Sequence, residues 1–110
     1  MSTFKALVAY PDGGVSIEHI DGLEGTQRTV GGYIEQVPGS GAGWIALANE
    51  EGKIKGLASN PTAERIFTSE GGMLPPGDWL VGPIVFLSAD GAGNWRNVPE
   101  HMLEYATTSH

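Results

Sequence analysis

Apolar positions fall in short runs separated by glycine-containing turns. Residues 4–10 are rich in strand formers, and Pro11-Asp12-Gly13-Gly14 follows with turn chemistry. Proline presets φ there and glycine accepts positive φ. Over residues 15–20 the pattern alternates, with Val15, Ile17 and His19 on one face and Ser16 and Glu18 on the other. The two runs predict a β-hairpin. Asp21-Gly22-Leu23-Glu24 has the form of a capping box, so Asp21 is expected to open a helix running to about Val30. Gly31-Gly32 would close it in a left-handed cap. Leu23 and Val30 would share its buried face. Gly25 in the interior costs about 1 kcal/mol relative to alanine, so this helix must depend on packing.

Residues 33–37 predict another strand, followed by a flexible connection, Pro38-Gly39-Ser40-Gly41-Ala42-Gly43. Residues 44–48 predict a strand that Asn49-Glu50-Glu51-Gly52 turns back into a partner over residues 53–57. Asn60 is placed to cap a helix with Pro61 at its first position, where the missing N–H costs nothing. Alternation lapses over residues 79–87, which predicts a strand buried on both faces, with Pro83 marking a bulge or an edge. Asp90-Gly91-Ala92-Gly93-Asn94 is a turn. Residues 99–105 predict a terminal helix with Met102, Leu103 and Tyr105 apolar, and the tail is expected to fray after about residue 105. No internal repeat is visible. The sum is a single α+β domain over residues 1–110. It has a mainly antiparallel sheet of five or six short strands and two or three short helices.

Composition adds exclusions. At 110 residues the chain has the length of one domain. Its 17 glycines are about twice the usual share, as many tight turns require. The formal charge is −7, from 13 acidic and 6 basic residues. Direct nucleic-acid binding is therefore not expected, because phosphate contacts need clustered Lys and Arg. The charge permits a basic partner surface or an acidic mimic of nucleic acid, and it also keeps a small protein soluble. The absence of cysteine excludes a disulfide framework, a thiolate zinc site and a cysteine nucleophile. No apolar run has the length of a membrane span, and the N-terminus lacks a secretory signal pattern. A cytoplasmic location is expected.

Three blocks carry a family resemblance. They are Val30-Gly31-Gly32-Tyr33-Ile34-Glu35-Gln36-Val37, the segment over residues 49–65 with Asn49-Glu50-Glu51-Gly52 and Asn60-Pro61-Thr62-Ala63, and Gly82-Pro83-Ile84-Val85-Phe86. In this order and spacing they resemble the domain of unknown function numbered 3846, over about residues 4–90. That family is found in actinobacteriophages and in bacterial genomes. The resemblance implies the context of a phage or mobile-element accessory protein, and it carries over no catalytic residue.

Reactive constellations are weak. His19, His101 and His110 are scattered, whereas zinc needs three or four convergent ligands. Asp90 and Asn94 lack the alternating oxygen ligands of a calcium loop. Ser40 sits in a glycine-rich loop without the strand and helix of a nucleophile elbow. The same loop runs into Trp44 without the Lys and Ser/Thr of a phosphate cradle. Glu50 and Glu51 read as a solvated hairpin tip before they read as an acid/base pair. Trp44, Trp79 and Trp95 each stand beside a turn. They either plug the ends of the core or, with Arg28, Arg65 and Arg96, form a platform for a partner or ligand.

The expected function is non-enzymatic, with no cofactor and no metal: binding that blocks or sequesters a host protein. A sponge for a small nucleotide-type signal is the first alternative, and an acidic nucleic-acid mimic that inhibits a DNA-binding enzyme is the second. Unpaired strand edges in so small a domain allow a homodimer.

Overall fold

The computed structural model describes residues 3–107; His110 and much of the tail expected to fray lie outside them. Strand β1 (Thr3–Ala9) and strand β2 (Val15–Asp21) form the expected hairpin, in register from Thr3 opposite Asp21 to Ala9 opposite Val15. Helix α1 (Gly22–Val30) leaves β2 with no loop between them and ends at Gly31 in the left-handed conformation. Then come β3 (Ile34–Gln36), β4 (Ile45–Asn49), α2 (Pro61–Ser69), β5 (Ile84–Ala89) and β6 (Trp95–Arg96). A 3-10 turn (Glu100–Leu103) leads into α3 (Glu104–Thr107).

The strands lie in the order β2-β1-β5-β4-β3, every pairing antiparallel, and β6 pairs with the end of β5. Beyond β6, the Val98 N–H donates to the Lys5 carbonyl at 2.8 Å, which fastens the C-terminal segment to the start of β1. Among the described residues, six antiparallel strands with three short helices make this a small α+β domain.

The sheet separates two apolar layers. On one face Leu7, Ala46, Ile84 and Phe86 meet Ala63, Ile66 and Phe67 of α2 and Met102 of the terminal turn. Trp44 joins this layer, its ring centroid 5.0 Å from Phe67 and 5.7 Å from Phe86. On the other face Ala6, Val8, Ile20, Ile45, Leu47, Val85 and Leu87 gather under Val30 of α1. Full burial of Phe67 and Phe86 contributes about 2 kcal/mol each. The central strands β1, β5 and β4 face apolar layers on both sides, so alternation lapses in them and survives in the edge strand β2.

Four local expectations need correction. Asp21 ends β2 and makes no side-chain cap hydrogen bond; the chain turns into α1 at Gly22. Leu23 is 53% exposed, and the buried face of α1 is Gly25, Thr26 and Val30. A Cβ on Gly25 would stand 2.9 Å from Ile20 Cγ2, so glycine is what lets the helix approach the sheet.

Residues 53–57 do not form a returning strand. Strand β4 already has β3 on one edge and β5 on the other, leaving no ladder for another partner. The segment winds into turns instead, with Lys55 N donating to Glu51 O at 2.9 Å and Leu57 N to Gly52 O at 2.9 Å. Finally, the strand expected over residues 79–87 starts only at Ile84. Before it the chain makes a single bridge, Val81 to Ser59, and is bent by Gly82 at φ +70° and by Pro83.

Candidate functional site

The segment that carries Trp79 is held from behind. Asn60, fully buried, accepts from Ala63 N at 2.9 Å to cap α2, and its own N–H donates to the Leu80 carbonyl at 2.8 Å. Its Nδ2 donates to Ala9 O at 2.9 Å and to Gly82 O at 2.8 Å. Glu64 Oε2 accepts from Leu80 N at 2.9 Å, and Gly82 N donates to Ala58 O at 2.8 Å. Leu80 and Val81 are buried. Both backbone groups of Leu80 are thus committed, and Trp79 is turned outward on a fixed hinge.

The facing wall is the turn after β4. Asn49, also buried, donates through Nδ2 to Val30 O at 3.2 Å, satisfying a carbonyl at the end of α1. Its Oδ1 accepts from Glu51 N at 2.8 Å and starts the turn. This turn and the Trp79 segment press together at two glycines. A Cβ on Gly52 would lie 2.7 Å from Val81 Cγ2, and one on Gly82 would lie 2.8 Å from Leu57 Cδ1. Close approach, together with positive φ at Gly82, explains why glycine stands in both places.

Between the walls lies a cleft of about 100 Å³, lined by Glu35 of β3, Asn49 and Glu50, Lys53 and Ile54 of the turn, and Asp78, Trp79 and Leu80 opposite. Trp79 is 47% exposed and Ile54 86% exposed. Lys53 Nζ sits 4.3 Å from the centroid of the Trp79 ring and is ion-paired with Asp78 Oδ1. The same oxygen accepts from Trp79 N at 2.9 Å. The Lys53 hydrogen bond holds the Asp78 carboxyl below its ordinary pKa; burial opposes this, and the Trp79 N–H and the Lys53 charge assist it. Three carboxylates, Glu35, Glu50 and Asp78, therefore share the cleft with one ammonium.

A family model described as Domain of unknown function (DUF3846) matches residues 4–110. The chain belongs to the DUF3846 family. No curated protein and no solved structure matches it.

The residues singled out in the sequence are dispersed over this DUF3846 domain. Trp44 is core, 3% exposed, with its Nε1 donating to Glu70 O at 3.0 Å. Trp95 lies edge-on to Phe4 at 6.3 Å, in an open groove that Leu23 also lines. Arg96 pairs with Asp90 at 3.3 Å. Arg28 is exposed on α1 and Arg65 on α2, on opposite sides of the sheet. Only Trp79 reaches the cleft, and none of the three arginines does. The loop over residues 38–43 is pinned, since Gly39 O accepts from Met73 N at 2.8 Å and Gly41 packs on the Glu70 carbonyl.

Sequence reasoning passed over Lys53, Ile54, Asp78 and Glu35. The signal for Asp78-Trp79 was its place after Pro75-Pro76-Gly77, which turns the chain sharply. A second cluster was also missed. Glu70 Oε1 accepts from His101 Nε2 at 2.6 Å and Oε2 from the Tyr105 hydroxyl at 2.6 Å. Burial pushes the Glu70 carboxyl up, but the bonds from Tyr105 and His101 and the charge of His101 outweigh it and leave its pKa lowered. For Tyr105, burial and then Glu70 push the phenol up. Among the described residues, no group of three or more His, Asp or Glu is placed to hold a metal ion, and no helix is long and apolar enough to cross a membrane.

Proposed function

We propose that this DUF3846 domain is a non-enzymatic binding module, through which a phage or mobile-element accessory protein engages a host protein in the cytoplasm and blocks or sequesters it. The observation that carries this reading is Trp79: a large ring, half exposed, followed by Leu80 and Val81, which are buried, with both backbone groups of Leu80 hydrogen-bonded. Tryptophan in such a position is the residue type most enriched at binding hot spots. A preordered anchor also loses little freedom on association. Ile54 beside it extends the apolar surface, and the carboxylates form a charged rim.

Charge selects among the expected partners. A cleft with three carboxylates and one ammonium, in a chain of net charge −7, attracts a basic segment of a protein and repels the phosphates of a nucleotide. Arg28, Arg65 and Arg96, which a nucleotide would require, lie away from it. The mimic reading is weakened by the acids engaged internally: Glu18 with Tyr10 and Ser16, Glu64 with Leu80, Glu70 with His101 and Tyr105, and Asp90 with Asn94 and Arg96.

The test is capture from a host lysate by the tagged protein, run beside Trp79→Ala and Ile54→Asp variants of unchanged Tm. A protein retained by the wild type and lost from both variants is expected. Capture that both variants preserve, or no capture where a control bait recovers its own partner, overturns the proposal.

A further inference from the structure

We infer that the face of Trp79 is a seat for an organic cation, an arginine side chain of the protein partner, and that Lys53 holds this seat in the free domain. This rests on the reading of the cleft as a docking site and names the chemistry it recognises. Three observations point to it. An ammonium already lies over the ring, 4.3 Å from its centroid, so the surface accepts a cation. The anion that completes the seat, Asp78, accepts from the Trp79 backbone N–H at 2.9 Å, so the carboxylate is held against the backbone that carries the ring. The present occupant comes from a separate turn on a flexible four-carbon stem and is itself 44% exposed, so it can swing out without disturbing either wall.

Arginine is the better occupant. Its planar guanidinium stacks on an indole while its fork of N–H groups reaches a carboxylate, and both are present together here. Glu35 and Glu50, which line the same cleft, make no ion pair among the described residues, so a displaced Lys53 ammonium has acceptors close by. Displacement exchanges one cation for another and leaves the charge of the seat unchanged, so the incoming group never meets an unpaired acid. The free lysine therefore acts as an intramolecular competitor that sets the affinity.

The probe is a short end-capped peptide whose single charged residue is one arginine, compared with the same peptide carrying citrulline, which keeps the shape and loses the charge. The readout is the Trp79 indole N–H resonance, identified by its loss in Trp79→Phe. The Lys53→Met variant should bind the arginine peptide about tenfold more tightly than the wild type, as removal of a competing cation and of its repulsion requires. Lys53→Arg should stay as weak as the wild type or weaker, and the citrulline peptide should leave the resonance in place. Equal response to both peptides, or no gain in Lys53→Met, overturns the seat. If the arginine peptide fails while a host protein is still captured in a Trp79-dependent way, the docking site stands without the cation seat. If the peptide binds as described and no host protein is captured, the seat stands and the host-factor reading falls.

Discussion

Two carboxylates in this domain are each flanked by a basic side chain and an aromatic ring, and the two arrangements differ in what they leave open. Asp78 holds Lys53 and neighbours Trp79; Glu70 holds His101 and Tyr105. At Glu70 each oxygen has a partner from the C-terminal segment, and the carbonyl of the same residue accepts from the buried Trp44. Tyr105 spends its hydroxyl inward. The cluster ties the end of α2 to the start of α3 and presents no unsatisfied face. At Asp78 one oxygen takes both the Lys53 ammonium and the Trp79 amide, and the ring stays in solvent beside Ile54. The same chemistry is a fastening where the aromatic group donates to the acid, and leaves an open aromatic face where the ring does not.

The largest effect is expected where the frame of the Trp79 segment is removed. Asn60→Ala deletes a helix cap and leaves the carbonyls of Ala9 and Gly82 without their buried donor. A cap is worth about 1 kcal/mol and each orphaned buried acceptor about as much or more, so a loss of about 3 kcal/mol is expected in urea unfolding. The loss should come with line broadening of the Trp79 indole signal in the folded protein, because Leu80 loses its fixed setting. A variant destabilised by less than about 1 kcal/mol would show that Asn60 is not the hub of the Trp79 segment.

The paired comparison itself predicts a smaller asymmetry. Glu70→Ala removes two short hydrogen bonds that fix the C-terminal segment over Met102 and should cost about 2 kcal/mol after allowance for solvent. Asp78→Ala breaks an exposed ion pair and should cost about 0.5 kcal/mol. Thermal unfolding of the two variants side by side checks this. Equal losses would erase the distinction between the fastening and the open aromatic face.

Much of this was legible in local chemistry and little of it in distant chemistry. The hairpin of β1 and β2, the glycine stop of α1 and the Asn60-Pro61 cap depend on residues within a turn of one another, and they stand where sequence rules put them. The fate of residues 53–57 depends on both edges of β4 being taken by β3 and β5, which no local pattern records. Leu23 has the right helical spacing to be buried, yet it lies at an open groove with Phe4 and Trp95. The three tryptophans looked alike in sequence because each stands beside a turn. What separates them is tertiary: Trp44 is covered by Phe67 and Phe86, and Trp79 is pushed out by anchors at Asn60 and Glu64, fifteen or more residues upstream. Glu70, His101 and Tyr105 meet across thirty-one to thirty-five residues and carry no motif.

The smallest predicted effect separates the two carboxylates by pH. Glu70 has its pKa lowered in the fold from the usual 4.5, because the Tyr105 and His101 bonds and the His101 charge outweigh burial. A carboxyl lowered in the folded state stabilises the protein fully above its unfolded value and loses that contribution as pH falls through the folded one. The Tm difference between wild type and Glu70→Gln should therefore be level down to about pH 5 and shrink progressively below 4.5. Asp78 is lowered from the usual 3.8, so its own contribution fades over a lower range, and Asp78→Asn should stay parallel to wild type where Glu70→Gln already converges. A Tm series from pH 6 to pH 3 on the three proteins resolves the two windows. Should Glu70→Gln remain parallel to wild type throughout, the clasp would be held by packing of Met102 and Tyr105 with no charge in it, and the contrast with Asp78 would rest on exposure alone.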